Sequence, residues 1–303
     1  MKSIPFSIYN SFTDTPFQGN PAGVFFDDEG QLSAEEMRRF CAEVSLESAF
    51  VLPAGNSGAD YRLRYFTGVM EVPLCGHASV AAAAALVRTG RLQAGSSVTF
   101  ATNVGPLPVL TDVNAAGGVD VTLRQTPLEI GDPLPSDAVA EIADALGWAA
   151  ETIDGTGLPV QCVSTGTPWL IVPAGSREAI DTTRPEFAAI TVLSERYGTF
   201  GIYAFARDPG RDGLAIWSRC FAPLVGLNED PTTGSASGSL GWYLRENGIL
   251  AGESRFTIRQ GFAGGRGGSV RVYVTGERGS VHEVAVSGTA TFIASGEFAA
   301  TAR

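Results

Sequence analysis

Apolar positions along this chain change period repeatedly, and each change marks an element. Residues 4–10 and 22–27 alternate or run apolar as strands do, with Gly19-Asn20-Pro21 turning the chain between them. Ser33-Ala34-Glu35-Glu36 has the form of an N-cap followed by acidic first-turn residues, which predicts a helix over 34–44. Strands follow at 48–52 and 60–66, then a loop, a helix at 77–88, and strands near 97–101, 106–111 and 118–125. A second series holds an amphipathic helix at 137–147, a strand at 169–173, a helix at 235–247, and strands near 255–260, 269–275 and 281–294. The helix at 77–88 is apolar on every side, and a helix apolar all round is buried all round. Most of its side chains are alanine, so neighbouring backbone can come close, as a sheet curved around a central helix requires.

The two series are copies. Glu71-Val72-Pro73-Leu74-Cys75-Gly76-His77-Ala78-Ser79 returns as Glu229-Asp230-Pro231-Thr232-Thr233-Gly234-Ser235-Ala236-Ser237, with Glu, Pro, Gly, Ala and Ser at matching places and a constant offset of 158. Gly166-Thr167-Pro168 echoes Gly19-Asn20-Pro21. Tyr203-Ala204-Phe205 echoes Ser48-Ala49-Phe50, and Arg219-Cys220-Phe221 echoes Arg64-Tyr65-Phe66, both at an offset of 155. The later loop therefore holds three extra residues, around Leu224 to Asn228. No low-complexity linker separates the copies, and the boundary falls near 126–136.

Composition narrows the setting. A chain of 303 residues, 44% apolar and 17% charged, suits two halves of about 100–150 residues with ordinary cores. A formal net charge of −11 gives no footing for nucleic acid, and no basic run suggests a membrane surface. The N-terminus lacks the apolar core of a signal peptide, and the longest apolar run, Val80 to Val87, is too short to span a bilayer. Cys41, Cys75, Cys162 and Cys220 stand far apart with no CxxC pair, so reduced thiols in a cytoplasmic protein are expected. With only His77 and His282, a histidine-rich metal site cannot be built, and no metal is expected.

Each repeated loop ends in a helix N-terminus, Gly76-His77-Ala78 or Gly234-Ser235-Ala236. Such ends offer unpaired N–H donors and a favourable dipole to anions, although they also serve simply as capped helix starts. If the halves pack about a pseudo-two-fold axis, both ends face one cleft, where a small carboxylate could be held. The copies differ where chemistry could occur. Glu47 matches Ile202, Cys75 matches Thr233, His77 matches Ser235, and Asp230 matches Val72. Glu47 is thus a candidate base that the second half lacks. Gly264-Gly265-Arg266-Gly267-Gly268 precedes a strand rather than a helix and reads as a hairpin turn. His282 reads as a solvated strand residue, and Cys41, Cys162 and Cys220 as small buried side chains.

QGNPAGVFF, SLESAFVLP, LCGHAS and EDPTTGSASG, in that order, resemble the PhzF-like proteins, named for the phenazine-biosynthesis isomerase, across essentially the whole chain. The resemblance implies an α/β (α+β) fold of the diaminopimelate epimerase and proline racemase type, with two pseudo-symmetric halves. Each would be a curved, mostly antiparallel sheet around a central helix. It implies a first half of 1–126 plus about 288–303, completed by the last strand, and a second half of 127–287. It further implies a cofactor-free isomerase acting on a small carboxylate-bearing substrate, and a homodimer. Glu47 would be the proton shuttle, with His77 and Asp230 beside it as catalytic residues. Asn20, Cys75, Gly76, Thr233, Gly234 and Ser235 would bind substrate. Two-thiol epimerases of this fold carry a cysteine before each helix, whereas here Thr233 takes the second place. Cys75 is then a relic, a small core residue or a modest contributor. An epimerase or dehydratase of the same fold, and a non-catalytic binding protein, are the alternatives.

Overall fold

The computed structural model describes residues 2–208 and 214–300. Contacts divide the chain into two compact units, Met1–Arg124 with Ser287–Arg303, and Gln125–Val286. Residues 1 and 301–303, counted with the first half from the sequence, lie outside the described residues.

In the first unit β1 (Lys2–Ser11) pairs antiparallel with β2 (Asn20–Phe26). Gly19 makes the turn between them at φ +67°, where a Cβ would sit 2.3 Å from the Ser11 carbonyl oxygen, so no other residue fits. A crossover helix, α1 (Ala34–Val44), then returns the chain to β3 (Ser48–Pro53), which lies parallel to β2. Ser33 and Glu36 form a capping box at its start, a cap of the kind worth about 1 kcal/mol. Its last turn closes on Ser45 in the left-handed region, which places Glu47 at the lip of β3. β4 (Tyr61–Phe66) runs antiparallel to β3 and leads through the short β5 (Glu71–Val72) into α2 (Gly76–Arg88). β6 (Ser97–Thr102) lies parallel to β4, and β7 (Gly105–Val113) and β8 (Val119–Gln125) follow as antiparallel neighbours.

The second unit repeats this plan. β9 (Glu129–Ile130), α3 (Ser136–Leu146) and a single turn, α4 (Glu151–Asp154), lead to β10 (Gln161–Ser164), which pairs antiparallel with β11 (Pro168–Ala174). Gly166 turns the chain at φ +126°, as Gly19 does in the first copy. The crossover to the parallel strand β12 (Ile202–Asp208) holds two helices, α5 (Arg177–Asp181) and α6 (Phe187–Tyr197), in the place of α1. Neither was predicted. The Ile190-Thr191-Val192 run in α6 is β-branched and reads as strand, and Glu186 gives no side-chain cap. β13 (Ala215–Ala222) is antiparallel to β12. The three extra residues of this copy form a 3₁₀ turn, Pro223–Val225, with Gly226 in the left-handed region before β14 (Leu227–Asp230). α7 (Gly234–Glu246), β15 (Ser254–Gln260) and β16 (Gly268–Glu277) complete the copy, with β15 parallel to β13 and antiparallel to β16. The glycine-rich run 264–268 is the turn between β15 and β16. The long β17 (Ser280–Ala300) begins in this unit and ends in the first, where it pairs antiparallel along β1 from Ser11↔Ala290 to Lys2↔Ala300.

Each unit thus has one helix at its centre. Every residue of α2 from His77 to Leu86 is buried, and Ala78 through Leu86 are at most 1% exposed. α7 is buried from Ala236 to Leu240 and mixes glycine and serine with its apolar residues. Small size is a packing requirement: a Cβ on Gly241 would lie 2.7 Å from Cγ1 of Val272 and 3.0 Å from Cγ2 of Val274 on β16. Among the described residues no helix is long and apolar enough to cross a membrane.

Gly241→Ala tests this constraint. Helix propensity favours alanine by up to about 1 kcal/mol, whereas overpacking against stiff valines on a strand costs about 1–3 kcal/mol. A lower urea midpoint is expected; a higher one would show that helix and sheet can separate without cost.

Candidate active site

The residues leading into each central helix are held by a clamp that both copies share. Arg64 on β4 donates from Nε and Nη2 to the two carboxylate oxygens of Glu71, at 2.9 and 2.7 Å. Arg219 on β13 does the same to Glu229, at 2.8 Å for each bond. Each guanidinium also stacks over the phenylalanine two residues further on, 5.0 Å from the Phe66 ring and 4.9 Å from that of Phe221. Bidentate, partly buried pairs of this kind fix orientation as well as adding energy. Arg64 holds the Glu71 carboxyl below its ordinary range.

The helix starts are alike in backbone. Cys75 (φ −138°, ψ 109°) and Thr233 (φ −117°, ψ 105°) are both extended N-caps, and neither caps its helix with its side chain. Ser79 and Ser237, four residues on, bond back through Oγ to the Cys75 and Thr233 carbonyls, each at 2.8 Å. Tyr65 Oη reaches Ser79 Oγ at 2.7 Å, and Tyr203 Oη reaches Ser237 Oγ at 3.0 Å. Burial keeps both phenols protonated, far above their usual range. The first turn of each helix is therefore anchored from below, and its leading amides are not covered by a capping side chain.

Chemistry separates the copies. In the first unit three predicted residues meet. His77 Nε2 lies 3.4 Å from a carboxylate oxygen of Glu47, while Cys75 Sγ lies 3.4 Å from His77 Nδ1 and 3.7 Å from Nε2. The donor atoms of the three all fall within 4.8 Å of one another. Ser11 Oγ donates to the His77 carbonyl at 2.7 Å and fixes the imidazole's backbone. Glu47 keeps only 23% of its side chain exposed, and this burial raises its carboxyl above the ordinary glutamate value. The Cys75 thiol, buried and against the imidazole, belongs to this cluster rather than to the apolar packing of α2. Asn20, also buried, opens β2 opposite Ser11.

In the second unit, Ile202 stands fully buried in the place of Glu47 and offers no base. Asp230, Thr233 and Gln260 form a buried polar knot there. Thr233 Oγ1 donates to Asp230 Oδ2 at 2.5 Å. Gln260 Nε2 donates to the Asp230 carbonyl (2.8 Å) and to Thr233 Oγ1 (2.9 Å), and Gln260 Oε1 accepts from the Thr233 amide (2.9 Å). Ser235 Oγ accepts from Trp169 Nε1 at 3.2 Å. Gln260 was missed from the sequence, yet it left a signal. Phe256, Ile258 and Gln260 are successive inward positions of β15, and an amide at the third breaks an apolar series. Among the other cysteines Cys41 and Cys220 are buried, with thiols raised by that burial, while Cys162 is half-buried at the edge of a core. His282 is exposed on β17.

Known proteins share this plan. The family model described as phenazine biosynthesis-like protein matches residues 9–296. The uncharacterized isomerase YddE of Escherichia coli (strain K12) is 34% identical over 294 residues, which cover 96% of each chain. The crystal structure of a phenazine biosynthesis protein of the PhzF family from Bacillus anthracis superposes with a TM-score of 0.87 at 31% identity, covering 99% of this chain and 100% of that one. A hydroxyproline epimerase from Agrobacterium vitis has the same fold, with a TM-score of 0.65 at 13% identity over 97% of this chain and 92% of its own. The duplicated α/β fold expected from the sequence is the fold observed.

Gln260→Leu should expose what the knot contributes. It removes the side-chain acceptor of the buried Thr233 amide and one donor to the Asp230 carbonyl, and an unsatisfied buried polar group costs about 1–3 kcal/mol. A loss of unfolding free energy of about 2 kcal/mol or more is expected in chemical denaturation; an unchanged midpoint would mean that the loop does not depend on the amide.

Proposed function

Because the chain belongs to the phenazine biosynthesis-like protein family, we propose that it is a cofactor-free isomerase that moves a proton between two carbons of a small carboxylate-bearing substrate. The enzyme class is the firm part: the curated relatives are named isomerases, and the chain is an isomerase of this family. The non-catalytic alternative is set aside on that ground.

The observation that carries the finer reading is the cluster of Glu47, His77 and Cys75 at the start of α2. A half-buried carboxylate with a raised pKa is a better base near neutral pH than an exposed one. Glu47 takes the proton from the carbon next to the activating group and returns it to another carbon. His77 orients the substrate's polar group. The amide of Gly76 stabilises negative charge that develops on the substrate, as donors at helix N-termini do. Asn20 is the proposed substrate-binding group of the first unit, Asp230, Thr233, Gly234 and Ser235 are those of the second unit's loop, and the four free thiols fit a cytoplasmic setting. A two-thiol epimerase is disfavoured by the chemistry of the second loop. Thr233 stands where the second thiol is needed, and its hydroxyl already donates to Asp230.

The test is carbon-bound hydrogen exchange. Small hydroxy, amino and unsaturated carboxylates would be incubated in deuterium oxide and followed by proton NMR. One class should exchange or isomerise with wild type. Glu47→Gln should slow it at least about 10²-fold, the low end for general acid–base catalysis, and Asp230→Asn should weaken binding. Cys75→Ala should change the rate little. Loss of turnover in Cys75→Ala with full activity in Glu47→Gln would reverse the roles and overturn the reading.

A further inference from the structure

The three groups that meet at the start of α2 make a donor set that the histidine count did not foreshadow. A thiol, an imidazole and a carboxylate are the ligand types that zinc accepts, from borderline-soft to hard. Their spacing is close to that of zinc ligands. Bond lengths of about 2.0–2.3 Å set about 3.3–3.6 Å between neighbouring donors of a tetrahedral site. Here His77 Nε2 stands 3.4 Å from Glu47 Oε2 and 3.7 Å from Cys75 Sγ, and the third edge lies within 4.8 Å. Among the described residues no other group of three such side chains comes together.

The supports are rigid where they need to be. Cys75 and His77 flank Gly76 at a helix start held by the Ser79–Tyr65 bond and by the Ser11 bond to the His77 carbonyl. Glu47 follows the left-handed end of α1, and its carbonyl accepts from the Gly23 amide at 3.2 Å. Cys75 Sγ lies nearer His77 Nδ1 (3.4 Å) than Nε2 (3.7 Å), so the imidazole and the Glu47 side chain both have to turn for the three donors to meet one ion.

We propose that this cluster is an inhibitory site for a single zinc ion, bound by Cys75 Sγ, His77 Nε2 and Glu47, with the fourth position left to water or a small anion. When the Zn–S bond forms, the thiol proton goes to solvent and no electrons change hands. The inhibitory consequence rests on the reading of Glu47 as the base: zinc withdraws charge from the bound carboxylate and leaves it a far weaker base toward carbon. Cys75, which the proton transfer itself does not use, is then the residue that makes the site open to metal control.

The site is tested by binding, independently of turnover. Zn²⁺ would be titrated calorimetrically into the full chain, and Co²⁺ used as a coloured probe of the same ligands. One ion per chain is expected, with a thiolate-to-cobalt charge-transfer band. Cys75→Ala should abolish that band and weaken Zn²⁺ binding by more than about 100-fold, since loss of even an outer-shell partner costs about 10–100-fold. Cys75→Ser, which keeps the volume and the fold, should show the same loss of the band, while Cys162→Ala should bind like wild type. A cobalt complex without thiolate absorption, or equal binding by wild type and Cys75→Ala, would overturn the proposal. If zinc binds as expected but Glu47→Gln retains full exchange activity, the site stands and the assignment of the base fails.

Discussion

A helix that a curved sheet approaches closely needs small side chains wherever a strand crosses it, and the rest of this structure depends on that constraint. α2 meets it with alanines and α7 with glycines and serines, down to Gly241 against the β16 valines. A helix with no exposed face still has to begin somewhere. Its first turn is where polar groups can gather without crossing the core, and the amides there need partners. The strand-to-helix loops supply that place. Their Arg–Glu clamps and the serine–tyrosine bonds beneath the first turn hold the loops in one position, so the side chains that differ between copies can differ without disturbing the scaffold.

Duplication supplied the scaffold twice, but only one copy carries a buried glutamate beside its helix start. The first copy sets Glu47 against His77 and Cys75; the second places Ile202 in the core at the matching position. Asp230 and Thr233 are tied to one another and to Gln260, so the threonine hydroxyl is already engaged as a donor. Desolvation is what gives Glu47 its distinct character. An exposed glutamate would be ionised and strongly solvated, whereas burial raises its proton affinity toward the working range of a general base.

Much of this was legible in the sequence because the informative features are local or repeated. The alanine run of α2 states its own burial, and the paired motifs with their offset state the duplication. Even the clamps were written in the Arg-x-Phe echoes, since each arginine stacks on the phenylalanine that repeats with it. What stayed hidden depended on packing. The β-branched run of α6 forms helix because Ile190 and Leu193 face a core that only the fold provides. Gln260 is an ordinary strand residue until its amide is seen between Asp230 and Thr233. Cys75 could be read as core filling from its neighbours in sequence, yet its sulfur faces an imidazole two residues away. Contact between residues that one helix start brings together, rather than residue type, decides its role.

In the proposed reaction one carboxyl group, Glu47, both removes and returns the proton. With a turned-over substrate deuterated at the acidic carbon, a single-turnover reaction in ordinary water reports on this directly. A measurable share of the product is expected to carry the substrate's own deuterium at the new carbon, because the same carboxyl holds it between the two steps. Complete exchange with solvent, accompanied by inversion at a single carbon, is the outcome of two opposed acid–base groups and would contradict it.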